Sequence, residues 1–125
     1  MSAILTAPHA RDHFEPEAAL SPEEQRKLRG RLERVDYAAF AANVRVIREL
    51  IEPATLARFE QLASITARAR ARWVGATLAI AAETNSLNAE QVAELVTLRG
   101  AYEELSQAYE AMRRMVERGY LSFRE

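Results

Sequence analysis

The sequence predicts an all-α protein: an elongated antiparallel bundle of three long helices, preceded by an N-terminal arm. Two observations carry this. Apolar residues recur three and four apart along three successive segments, which draws one face of a helix each time. Turn formers are scarce, with four glycines and four prolines in 125 residues, so the elements must be long.

Residues 1–20 hold Pro8 and Pro16 and no sustained period, and read as an arm that is extended or partly ordered. The bundle domain spans 21–125. It opens at Ser21-Pro22-Glu23-Glu24, where Ser21 can cap, Pro22 suits the first helical position and Glu24 completes a capping box. Leu28, Leu32, Val35, Ala39, Ala42, Val46 and Leu50 then form a stripe. From Tyr37 a second row joins it: Phe40, Val44, Ile47 and Ile51. Gly30 weakens the helix and Asp36 can cap a restart, so a break near residues 30–36 is open.

Pro53 must end or kink the first helix. A tight turn and a proline kink both fit the sequence there. The second helix carries Phe59, Leu62, Thr66, Ala69, Trp73, Ala76 and Ile80, flanked by a row of Ala63, Ala67, Val74, Leu78 and Ala81 expected to widen its buried face. Thr84-Asn85-Ser86-Leu87-Asn88 is turn chemistry, with Asn88 and Gln91 set as a second capping box and Leu87 placed to staple against Val92. The last helix follows through Leu95, Leu98, Tyr102, Leu105, Tyr109, Met112 and Val116. Gly119 sits where a left-handed stop belongs, after Arg113, Arg114 and Arg118. Segments of roughly 30 residues make rods of about 45 Å. Their alanine-rich stripes bury little area, so a second copy is expected to complete a thin core.

Composition excludes several functions. There is no cysteine, hence no disulfide, thiol nucleophile or thiolate metal site. The formal net charge of −1 does not favour wholesale polyanion binding. The start of the chain does not read as a signal peptide and no stretch is apolar for long enough to span a bilayer, so the expected location is the cytoplasm.

The candidate sites are few. His9 and His13 are spaced i, i+4 beside Asp12, Glu15 and Glu17, a possible metal-binding pair on an arm that offers no fixed third ligand; no metal or cofactor is expected. Arg26, Lys27, Arg29, Arg31 and Arg34, with Arg68 and Arg72, could bind an anion or nucleic acid, but no aromatics interleave to stack bases and acidic residues dilute the first cluster. A mixed-charge helix face is the ordinary alternative. Trp73, Tyr102, Tyr109, Tyr120 and Phe123 are the candidate partner-binding residues.

Trp73-Val74-Gly75 resembles the central Trp-x-Gly of a family of small secreted helical-hairpin proteins, in which that motif makes the hairpin turn. Here Trp73 sits inside an unbroken helical pattern. Tyr102 is followed four residues on by Ser106 and Tyr109 by Arg113, where that family has an acidic residue. Val35-Asp36 in a long first helix is similar to the chorismate mutases, yet the sole lysine, Lys27, lies on the wrong side of it. Neither resemblance assigns a family, and no acid, base and nucleophile converge to make an enzyme. The expected function is that of a non-enzymatic assembly or adaptor protein whose partner is a protein, most simply a second copy in a dimer. An Arg-dependent nucleic-acid or anion binder is the alternative. Trp73 is expected to be mostly buried, against another helix or a second copy.

Overall fold

A computed structural model of the protein describes residues 19–125. His9, His13 and most of the expected arm lie outside that range. The described residues form three long helices: α1 (Pro22–Leu50), α2 (Leu56–Glu83) and α3 (Ala89–Glu117). Two short strands, β1 (Ala54–Thr55) and β2 (Phe123–Arg124), pair in parallel. The chain divides into two compact units, one ending at Asn43 and the other running from Val44 to Glu125.

Helix α1 begins as its sequence requires. The Glu24 amide donates to Ser21 Oγ at 3.1 Å, and the Ser21 amide donates back to the Glu24 carboxylate at 2.9 Å. This reciprocal pair satisfies two amides that the helix cannot use. The optional break near residues 30–36 does not occur; α1 is one helix through Gly30 and Asp36. A single glycine costs only about 1 kcal/mol, and neighbouring good helix formers outweigh it.

The first helix stops at Leu50, and Pro53 lies in the short connection that follows. The connection is therefore a true turn rather than a kink. Thr55 then caps α2, its hydroxyl accepting from the Arg58 amide at 3.1 Å. Five residues, 84–88, join α2 to α3, and Asn88 and Gln91 close the second capping box. Phe59 near the start of α2 meets Tyr109 near the end of α3, and Trp73 meets Tyr102. The two helices therefore pack antiparallel.

The end of α3 is a Schellman stop. Gly119 takes φ 79°, its amide donates to the Val116 carbonyl at 3.0 Å, and the Tyr120 amide donates to Met115 at 2.9 Å. The chain then turns back, and the Ala54 amide donates to the Ser122 carbonyl at 2.8 Å. Ala54 pairs with Phe123 and Thr55 with Arg124. The tail thus returns to the chain just before α2.

Burial departs from the sequence reading in extent. Among the described residues, the buried apolar residues are Ala54 and Leu121 alone, and no large side chain is fully enclosed. The inward rows fall where their period puts them, since every member from Phe59 to Ile80 and from Leu95 to Val116 is part-buried. The flanking row does not widen the buried face: Ala63, Ala67, Val74, Leu78 and Ala81 are all exposed. A two-helix pair has one contact line, and residues more than about a quarter-turn off it cannot reach the other helix.

Candidate functional site

The large side chains of the apolar stripe of α1 are exposed, although Leu20 shares a surface hollow with Leu28 and Leu32. Leu28 is 43% exposed, Leu32 52% and Val35 61%, and Val46 and Leu50 continue the same row in the exposed class. No residue of this 29-residue helix is buried. In the second unit the other row does find cover, because Val44 and Ile47 are part-buried. At 100° per residue that row lies about 140° round the helix from the stripe. The stripe and the covered face are therefore different faces of α1.

Arg48 anchors the end of α1 in the second unit. Its guanidinium donates to the Tyr120 carbonyl at 3.3 Å and to the Gly119 carbonyl at 3.1 Å. Those carbonyls follow the C-terminus of α3, where a cation also complements the helix dipole. No local pattern points to this role, since its partners lie 71 and 72 residues away.

The five candidate aromatics all lie in the second unit, and four of them fall in two groups. Trp73 stacks on Tyr102 with centroids 5.7 Å apart and planes 23° from parallel. Arg70 donates to the Tyr102 hydroxyl at 2.7 Å, and its guanidinium carbon lies 5.0 Å from the ring centroid. That hydrogen bond holds the Tyr102 hydroxyl below the usual tyrosine pKa, and a bond to Ser106 adds to the effect. In the second group Phe59 meets Tyr109 edge-on at 5.7 Å and Phe123 at 6.1 Å. Leu56, Phe59, Tyr109, Val116 and Phe123 line an open groove of about 400 Å³, with Arg113 and Glu117 at its edge. Those two pair at 3.4 Å. Tyr120 is part-buried beside the buried Leu121.

Phe59 and Arg70 were not among the candidate residues, yet each is the hub of its group. Phe59 could have been found as the one large aromatic in the first turn of α2's inward row. Arg70 offered no such signal, being one of three arginines at alternate positions, with Arg68 and Arg72.

The basic candidates divide between the units. Lys27, Arg31 and Arg34 share one face of α1 with Gly30. Arg26 and Arg29 point to other faces by helical phase. Arg68 shares a surface hollow on α2 with Glu60, and Arg72 is exposed. Among the described residues no three His, Asp or Glu side chains could hold a metal ion. Nor is any described helix long and apolar enough to cross a membrane. Trp73 lies mid-helix rather than in the 84–88 turn, so it lacks the setting of the Trp-x-Gly hairpin family. No family model, curated protein or solved structure matches the chain.

Proposed function

We propose that the protein is a non-enzymatic assembly or adaptor protein, acting in the cytoplasm through protein–protein contact, most simply with a second copy of itself. One observation carries this reading: α1 presents a regular apolar stripe, and residues 31–42, with Leu32 and Val35 among them, are all exposed. Helical stability in proteins comes chiefly from packing an amphipathic face. A contiguous exposed apolar row is also the mark of an interaction surface. Light-scattering mass across a dilution series tests the self-association form. A fully folded monomer throughout the micromolar range would exclude it and leave a different protein as the partner.

A second reading has one observation in its favour. Lys27, Arg31 and Arg34 lie together on one face of α1, so they could meet successive phosphates of a nucleic acid. Phosphate contacts make affinity fall steeply with salt. Absence of binding to single or double strands at low salt would end this reading.

A further inference from the structure

The stripe on α1 has the spacing of a two-stranded coiled-coil seam, with Leu28, Val35 and Ala42 at d and Leu32 and Ala39 at a. This frame fixes the flanking positions. Glu24 and Arg31 are at g, and Arg29 and Asp36 are at e. Charged flanks beside a narrow apolar line suit a seam covered by one other helix.

In a parallel pair in register, each g residue meets the e residue five positions later on the other helix. Glu24 then faces Arg29 of the second copy, and Arg31 faces its Asp36. Twofold symmetry repeats both contacts. The next pair, Ala38 with Asn43, is uncharged, so no like charges meet. A slip of one heptad sets Glu24 against Asp36 and Arg31 against Arg29, which is repulsive at both places. Among the described residues neither Arg31 nor Asp36 has an ion-pair partner in its own chain. We infer that α1 pairs with α1 of a second copy as a parallel, in-register coiled coil through the Leu28–Ala42 stripe. This deepens the assembly reading and rests on it.

The chain has no cysteine, so single cysteines report orientation directly. Val35→Cys and Ala42→Cys, each alone in the full chain, should both give disulfide-linked dimers under mild oxidation. Their d positions face their own copies only when the helices run parallel in register. An antiparallel pair brings at most one of these positions to its own twofold axis. Cross-linking at one position or neither, with a dimeric mass by light scattering, overturns the parallel seam and leaves self-association standing. A monomeric mass at every concentration removes self-association itself.

A charge swap supplies the second measurement. Arg31→Asp should weaken the dimer by roughly tenfold, since two symmetric attractions become repulsions. Adding Asp36→Arg should restore it. A double variant no tighter than Arg31→Asp alone overturns the assigned register.

Discussion

Trp73, Tyr102 and Arg70 form the best-defined side-chain cluster of the helix pair, and each makes a separate test possible. Trp73 is part-buried between Ala69 and Ala76, which sit one turn either side and leave room for its ring over Tyr102. Trp73→Ala should cost about 3 kcal/mol, the lower end of the range for truncating a large buried aromatic. Denaturant titration reads this directly, and an unchanged midpoint would mean the stack contributes nothing. Alanine's high helix propensity removes backbone effects as an explanation. Tyr102 predicts a pH effect. Its ionised form is favoured in the fold, chiefly by the Arg70 hydrogen bond. A lowered folded pKa stabilises the fold fully above the unfolded tyrosine value, and that contribution is lost as pH falls through the folded value. Arg70→Gln should therefore move Tyr102 ionisation to higher pH, seen as tyrosinate absorbance that Tyr102→Phe removes. The position of Trp73 was legible because helical phase alone turns it inward. The role of Arg70 was not, because composition and period cannot tell which of several neighbouring arginines lies beside a ring on another helix.

Helix boundaries were legible wherever a local rule sets them. Ser21 with Glu24, Asn88 with Gln91, and Gly119 all act within a few residues of themselves, so short sequence patterns contain the whole interaction. The strands were not legible. Two residues are too few to show a period, and Ala54 and Phe123 are paired only because both ends of the α2–α3 hairpin meet there. The extent of burial also escaped the sequence, since an apolar row says which face is sticky but not whether anything lies against it. Two substitutions weigh these devices. Gly119→Ala meets no neighbouring atom within 4 Å, so its cost is backbone strain at positive φ, about 1 kcal/mol. Leu121, only 2% exposed, locks the returning tail. Leu121→Ala should cost about 3 kcal/mol. Both are read from denaturant midpoints, and a larger effect from Gly119→Ala than from Leu121→Ala would reverse the ranking proposed for this end of the hairpin.

For the molecule as a whole, the decisive quantity is how little of its apolar surface the described chain covers by itself. Cover is found within the second unit: the inward rows of α2 and α3 are part-buried, as are Val44 and Ile47, and the tail returns to β1. The segment 22–43 of α1 has no buried residue, and residues 31–42 are exposed throughout. Most helical stability in proteins comes from packing an amphipathic face rather than from propensity. Covering the stripe would supply the missing term. At about 25 cal/mol per Å² of apolar surface, covering Leu28, Leu32 and Val35 on both copies stabilises the paired helices. Folding and association should then be linked, and stability should depend on protein concentration. Thermal unfolding followed by far-UV circular dichroism is expected to show a midpoint that rises with concentration. On dilution below the dissociation constant, helicity should fall first by the share that residues 22–43 carry, while the Trp73 environment persists because its contacts lie within the hairpin. Leu32→Asp places a charge in the seam and should produce the diluted behaviour at all concentrations. A midpoint independent of concentration, with Leu32→Asp indistinguishable from the unaltered chain, would show that α1 is stable without a second copy and that its stripe is not an interface between copies.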